Sequence, residues 1–130
     1  RAWRRFLRPG GVLAVTELSW TAPSRPADVE AHWTGEYPAI STPAENLRTL
    51  EREGYTPLAF CFLLEHCWDE NYYVPLRASF AGFLLRHAGN PVAREIVASE
   101  EAEITLRRER GAWYGYGFYI ARRTSGGPER

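Results

Sequence analysis

The sequence predicts an α/β fold, namely the second half of a doubly wound domain with a helical insertion before its last strand. Residues 12–15 are apolar without polar alternation, which is typical of a strand covered on both faces. Helical segments connect this strand to a second apolar one, so the two strands are expected to run parallel. A buried strand needs neighbours, yet this one starts about a dozen residues into the chain. We therefore expect the domain to begin upstream.

The first half of the chain is predicted to alternate between helices and strands. Residues 2–7 end a helix, and Pro9-Gly10-Gly11 forms a turn, because Pro fixes φ and Gly accepts positive φ. A strand follows at 11–18. The next helix, at 24–37, carries an apolar stripe at i, i+4 and i+8, formed by Val29, Trp33 and Tyr37.

A second helix is predicted to start at a capping box and to lead into the second strand. Thr42 is the N-cap, Pro43 occupies the first helical position, and Glu45 reaches back to the cap. Gly54 ends this helix. The strand at 55–64 contains the nearly continuous apolar run of residues 60–64.

Residues 70–111 are predicted to form the helical insertion. Helical spacing relates Leu76, Phe80, Phe83, Leu84 and His87, and Gly89-Asn90-Pro91 separates two helices. The second helix is expected to turn Ile96, Val97 and Ile104 inward and its charged residues, including Arg107, outward. The last strand of the chain is expected at 113–121. The predicted domain portion therefore spans residues 1–123, and residues 124–130 are predicted to be a disordered tail.

The composition excludes several function classes. Sixteen basic and sixteen acidic residues balance, which argues against nucleic-acid partners and anionic membrane surfaces. No apolar stretch reaches about 18 residues, so no membrane span is expected. Cys61 and Cys67 match no zinc spacing and suit reduced thiols. We therefore expect a cytoplasmic protein without a metal site.

Residues 6–17 resemble a segment of a known protein family in the order of their motifs. It reads FLRPGGVLAVTE, a helix end, then L-R-P-G-G, then an apolar strand ending in Glu. This resembles the approach to the fifth strand of class I S-adenosylmethionine-dependent methyltransferases. Later segments resemble one bacterial subgroup of that family: ELSW (17–20), HW (32–33), EYPAI (36–40), EGY (53–55), EHCW (65–68), YY (72–73) and YGYGFYI (114–120).

The resemblance covers nearly the whole chain but only the C-terminal half of the family's domain. It implies a Rossmann-like sheet whose last strand runs antiparallel between the other two. It also implies S-adenosylmethionine as cofactor. The family's Gly-rich loop after the first strand and the acidic residue that ends the second have no counterpart in this sequence. The cofactor-binding residues are therefore unknown and are expected in the missing N-terminal half.

The carboxyl ends of the strands are the expected ligand site, because open α/β sheets bind ligands there. These ends lie at residues 17–20 and 64–68, and the resemblance brings the start of the last strand to the same edge. Aromatic residues expected at this rim are Trp20, Trp33, Tyr37, Trp68, Tyr72, Tyr73 and Tyr114. They suit a planar or apolar substrate or a methylsulfonium group. The alternative is that each packs into the core.

Two residues are candidates for catalysis. Glu17 ends the first strand, where a carboxylate positions a substrate or accepts its proton. It equally suits a cap on the following helix or a partner for an Arg. His66 follows the second strand as a candidate general base, and the alternative is an ordinary hydrogen-bonding loop residue. His32 is a weaker candidate of the same kind.

The resemblance implies that this chain is the acceptor side of a methyltransferase acting on a small molecule. We expect the chain alone to be inactive and to bind S-adenosylmethionine weakly or not at all. The competing hypothesis is a non-catalytic module that binds a small apolar ligand or a partner chain. The unpaired edge of the first strand predicts that the chain made alone either self-associates through residues 12–15 or is poorly soluble. In a longer parent this strand would be internal, and a homodimer would use another surface, such as the helical insertion.

Overall fold

A computed structural model gives the fold of residues 2–125. The chain forms two compact units. The sheet unit combines Arg1–Leu63 with Ala112–Arg130, and the helical unit is Leu64–Gly111. Within the described residues no helix combines the length and the apolar character needed to cross a bilayer.

The sheet unit is built on three strands. These are β1 (Val12–Trp20), β2 (Tyr55–Phe62) and β3 (Tyr114–Arg123), in the order β1-β3-β2. Because β3 is antiparallel to both neighbours, β1 and β2 run in the same direction. This confirms the expected α/β arrangement with the last strand between the other two. Glu17 and Phe62 both pair with Gly117, which fixes the register of the sheet.

The prediction that β1 is covered on both faces is wrong for most of its length in this structure. Val12 is 50% exposed, and only the last three residues of the strand, Leu18 to Trp20, are buried. The helix α2 (Pro43–Arg52) packs mainly against β2 and β3, and it reaches β1 near the carboxyl end of the strand, through the hydrogen bond from Asn46 to Ser19. Among the described residues the outer edge of β1 carries only the isolated bridge between Ser19 and Ser41. The side chains of β1 are therefore buried only toward the carboxyl end of the strand.

Two α-helices connect β1 to β2. The first, α1 (Ala27–Glu36), is shorter than the predicted 24–37, because the backbone of Tyr37, the C-cap, is no longer helical. Val29 and Trp33 are buried on its inner face. A short 3-10 turn, Ala2–Phe6, precedes β1 where a helix end was expected.

The capping box of α2 (Pro43–Arg52) is confirmed. The Thr42 hydroxyl accepts the Glu45 backbone N–H at 3.3 Å. The Glu45 carboxylate accepts the Ser41 hydroxyl at 2.5 Å, and this bond is the main reason its pKa lies below the usual value. Gly54 follows with φ of 81°, a conformation that glycine adopts without steric cost.

The helical unit contains three α-helices and one π-helical segment. They are α3 (Glu65–Trp68), the π-helical segment Asp69–Tyr73, α4 (Val74–Arg86) and α5 (Pro91–Arg110). The predicted strand end at 64–68 is thus already helical from Glu65. The Asn90 side chain accepts the Val92 N–H at 3.0 Å, so the predicted cap of α5 is confirmed.

Two predicted orientations on α5 are wrong. Ile96, expected on the inner face, is 48% exposed, and Arg107, expected outside, is 8% exposed. The Arg107 guanidinium lies 4.7 Å above the Trp68 ring and donates to the Gly111 carbonyl at 2.9 Å. A planar cation stacked on an indole can be buried, which a pattern of charged residues does not reveal.

The predicted disordered tail starts too early. The Thr124 hydroxyl donates to the Gly54 carbonyl at 2.9 Å, and its backbone N–H donates to the same oxygen at 3.0 Å. These bonds hold Thr124 beside the end of α2. The remainder of the predicted tail, residues 126–130, lies outside the described residues.

Candidate functional site

A hydrogen bond between Tyr37 and Glu17 forms the centre of the candidate site. Strand β1 carries Glu17, and the C-cap of α1 places Tyr37 so that its hydroxyl donates to Glu17 Oε1. This bond, followed by partial burial and the negative charge of Glu17, raises the pKa of Tyr37 to about 12. Tyr37 therefore stays protonated at physiological pH and remains a hydrogen-bond donor.

Two clefts in the sheet unit share this pair. The α2 cleft has a volume of about 420 Å³ and is lined by Val15, Glu17, Tyr37, Ala39, Ser41, Asn46, Thr49, Leu50 and Tyr119. The aromatic cleft has a volume of about 430 Å³ and is lined by Thr16, Glu17, Leu18, Trp33, Tyr37 and Tyr116. Both volumes fall within the range of small-molecule sites. A ligand in either cleft would meet the same carboxylate and the same phenol.

A buried polar network supports the strand at Glu17. The fully buried Ser19 hydroxyl donates to the Glu17 carbonyl at 2.9 Å and lies 2.7 Å from the Tyr119 hydroxyl. The Asn46 amide donates to both hydroxyls, at 3.2 Å and 3.0 Å. The network joins β1, β3 and α2, so it fixes the backbone that carries the Glu17 side chain.

Sequence reasoning missed this network and the role of Tyr116. Ser19 and Tyr119 are 100 residues apart, and no local pattern links two such hydroxyls. The signal that was available in the sequence is Gly117, two residues before Tyr119. A Cβ at Gly117 would lie 2.7 Å from the Tyr119 ring, so only a glycine at this position leaves room for that ring.

The predicted aromatic residues of the sheet unit fall into two groups. Trp33 and Tyr37 line the aromatic cleft together with Glu17. Trp20 and Tyr114 are 3% and 1% exposed and are not among the residues lining the two clefts. Trp20 packs under the Arg25 guanidinium at 4.0 Å, and Tyr114 contacts the Trp33 ring with centroids 4.8 Å apart.

The other predicted aromatic residues belong to the helical unit and contact one another there. Trp68 and Tyr73 are both 4% exposed and stack with centroids 5.9 Å apart. The Tyr73 hydroxyl donates to Glu103 at 2.8 Å. Tyr72, whose ring lies 5.1 Å from that of Tyr73, is 52% exposed.

The remaining predicted site residues have few contacts. His66 is exposed in α3, where its carbonyl accepts a bond from the Asn71 amide at 3.4 Å, and its role as a base stays a prediction. Cys61 is exposed and Cys67 half-buried, both as free thiols. Across residues 2–125 no group of three or more His, Cys, Asp or Glu side chains is placed to hold a metal ion.

Comparisons with known proteins identify the fold. No protein-family model and no curated protein matches the sequence. A solved S-adenosylmethionine-dependent methyltransferase from Geobacter sulfurreducens, in complex with S-adenosyl-L-homocysteine, matches with a TM-score of 0.67 at 21% identity. The match covers 90% of this chain and 47% of that one.

Two further solved structures match in the same way. The methyltransferase from Thiobacillus denitrificans, also in complex with S-adenosyl-L-homocysteine, gives a TM-score of 0.61 at 18% identity, over 88% of this chain and 47% of that one. The [4+2]-cyclase SpnF gives 0.63 at 22% identity, over 95% and 42%. The chain spans about half the length of these structures. Its mixed α/β fold is therefore one that solved S-adenosylmethionine-dependent methyltransferases contain as part of their own.

Proposed function

We propose that this chain is the acceptor-binding part of an S-adenosylmethionine-dependent methyltransferase that acts on a small molecule. The fold it shares with two methyltransferases crystallised with S-adenosyl-L-homocysteine supports the proposal. The observation that carries it is the Glu17–Tyr37 bond, because two clefts large enough for a small molecule meet at that bond.

The described residues do not fit the cofactor itself. The glycine turn before β1 directs its backbone donors at the protein, since the Gly10 N–H donates to Arg123 O at 2.9 Å and the Gly11 N–H to Arg8 O at 2.8 Å. A Cβ at Gly11 would meet the Arg8 carbonyl at 2.8 Å, so this glycine allows close packing of the turn on itself. Both backbone donors of this turn are therefore used within the protein and are not available to a cofactor.

The contribution of this chain is to bind and orient the acceptor. Tyr37 donates to one oxygen of Glu17, which leaves the second carboxylate oxygen for a donor group of the acceptor. A carboxylate so placed aligns the acceptor and takes up the proton that it loses. The network below the strand keeps the carboxylate in position.

The chemistry rests on these residues and not on the fold alone. SpnF is a [4+2]-cyclase with the same fold at similar identity, so one architecture serves different reactions. A side chain that removes a proton affects the reaction rate differently from one that only shapes a cleft. Substitution of single residues therefore distinguishes the two roles.

A methylation assay tests the proposal. The polypeptide as it occurs in the cell is incubated with methyl-labelled S-adenosylmethionine and small amines, alcohols, thiols and carboxylic acids. We expect a methylated product, and we expect Glu17→Gln to lower kcat/KM roughly 100-fold, the usual scale for a lost general base, at unchanged cofactor affinity. The exposed Glu51→Gln is the matched control. Cofactor binding without methylation of any of these acceptors would overturn the proposal.

We further propose a bacterial cytoplasmic protein that uses no nucleic-acid or membrane partner. The free, exposed thiol of Cys61 supports a reducing compartment. The balanced charge of the chain supports the absence of nucleic acid. For this chain made alone we propose self-association through the outer edge of β1, which light scattering on the purified chain measures.

A further inference from the structure

We propose that the aromatic cleft binds the cationic ammonium group of a small amine. If the proposed function holds, this names the class of methyl acceptor. The cleft has three aromatic side chains, Trp33, Tyr37 and Tyr116, and a single charged one, Glu17. Among the described residues no basic side chain lines it. Aromatic rings with one carboxylate form the kind of site that takes ammonium ligands.

The charge of Glu17 has no counterpart within the described residues. Glu17 accepts a bond from the neutral Tyr37 phenol, and the ion pairs described in this chain involve other acids. Glu30 pairs with Arg25, and Glu101 pairs with Arg77. A cation in the aromatic cleft would therefore meet a carboxylate that no arginine of the described chain neutralises.

The buried tryptophans also indicate that the aromatic cleft lacks a cation. Trp20 has the Arg25 guanidinium 4.0 Å above its ring, and Trp68 has that of Arg107 at 4.7 Å. Trp33, the third buried tryptophan, contacts only His32 and Tyr114 as ring partners among the described residues. Trp33 also lines a cleft together with a carboxylate, that of Glu17. Two of the three buried indoles, those of Trp20 and Trp68, thus have a guanidinium over the ring. At Trp33 the cleft leaves room for the cation of a ligand instead.

Other ligands fit these observations less well. An anion would face Glu17 at close range, and no described basic side chain of the cleft would offset the repulsion. A purely apolar ligand would leave the carboxylate desolvated and unpaired, which is costly. An ammonium group satisfies both the rings and the carboxylate, because ring faces and carboxylate oxygens are all negative.

A pair of isosteric probes tests the inference on the polypeptide as it occurs in the cell. Choline carries a quaternary ammonium, and 3,3-dimethyl-1-butanol has the same shape without the charge. With ¹⁵N-labelled tryptophan, we expect choline to shift the Trp33 indole resonance saturably. The neutral probe should bind roughly tenfold more weakly, a ratio in keeping with a desolvated cation–π contact.

Variants locate the site. Glu17→Gln and Tyr116→Leu should each weaken choline binding several-fold, and Tyr116 is 39% exposed, so its replacement leaves the core intact. Glu51→Gln should bind choline as the parent does. Equal affinity for the two probes would overturn the inference, and so would the absence of choline binding by a folded protein at millimolar concentration.

The two proposals fail in different ways. Choline binding at Trp33 with no methylation of any acceptor would refute the methyltransferase assignment and leave the ammonium site standing. Methylation confined to neutral acceptors, with no choline binding, would refute the ammonium site and leave the methyltransferase assignment standing.

Discussion

The sheet unit and the helical unit both combine aromatic rings with charged groups, but they use them differently. In the helical unit Arg107 covers Trp68, Glu103 accepts from Tyr73 and Glu101 pairs with Arg77, so charges hold helices together. In the sheet unit the Glu17 carboxylate accepts a hydrogen bond from the Tyr37 phenol, has no ionic partner among the described residues, and lines two clefts. A charge without an ionic partner, next to a cleft, is the better indicator of a binding site.

The comparison also separates two kinds of buried polar group. Ser19, Tyr119 and Asn46 satisfy one another inside the sheet unit and keep a strand in place. Arg107 is buried as a full charge, which is tolerable because it lies on an indole and donates to a carbonyl. Both arrangements are structural, so their removal should affect stability first.

The largest expected effect is on the helical unit. Trp68→Ala removes a ring that is 4% exposed, ends its stacking with Tyr73 and uncovers the Arg107 guanidinium. We expect a loss of about 3–5 kcal/mol in the free energy of unfolding, measured by urea denaturation. Trp68→Phe keeps a ring and should lose markedly less. A cost below about 1 kcal/mol for Trp68→Ala would show that this ring is not part of the core.

The next largest effect concerns the buried network of the sheet unit. Tyr119→Phe deletes one hydroxyl and leaves the Ser19 and Asn46 groups without it, at a cost of about 1–3 kcal/mol. Tyr72→Phe, at a half-exposed ring, is the control and should change stability by less than about 0.5 kcal/mol. Equal stability of the two variants in urea denaturation would mean that the network contributes nothing.

A smaller effect should appear in the titration of Tyr37. Its pKa of about 12 is raised chiefly by the bond to Glu17, so Glu17→Gln should return it toward 10. Because the folded-state pKa is the higher one, the stabilisation by this bond is complete below about pH 10 and is lost as the pH rises toward 12. Tyrosine ¹³Cζ shifts followed by NMR measure the change. An unchanged Tyr37 titration in Glu17→Gln would mean that the bond does not form.

The smallest effect is expected at the exposed pair of the helical unit. Arg77 Nε donates to Glu101 at 2.8 Å, which lowers the pKa of Glu101 and raises that of Arg77. Since the Glu101 pKa is lowered on folding, any stabilisation exists above its unfolded value and disappears on acidification. Glu101→Gln should therefore matter only slightly, at neutral pH and low salt. A loss that persists in concentrated salt would contradict this.

Local signals in the sequence predicted the fold well. The capping residues Thr42 and Asn90 mark two helix starts correctly, because capping depends on bonds to the next turn of chain. The sheet order came from the resemblance and from the helical connection between the two parallel strands. The orientation of Arg107 and Ile96 was predicted wrongly, because a charged helix pattern does not show which cation stacks on a ring.

The candidate site was predictable only in part. Glu17, Trp33 and Tyr37 were named because they follow a strand end or share a helix face, and the structure places all three on one cleft. Tyr116 and Asn46 were not named, because their contribution depends on contacts between segments far apart in sequence. Sequence position indicates the edge of a sheet but not which side chains meet there.

The position of β3 in the chain has a consequence for synthesis. β3 lies between β1 and β2, yet its residues, Tyr114–Arg123, are made after those of both partners. Until the ribosome has extended past residue 123, β1 and β2 have no common neighbour and their edges stay open. The helical unit, whose contacts are local, can form earlier. The nascent chain thus passes through a stage in which the helical segment is finished and the edges of β1 and β2 that later pair with β3 are still open, and an open strand edge is prone to aggregation.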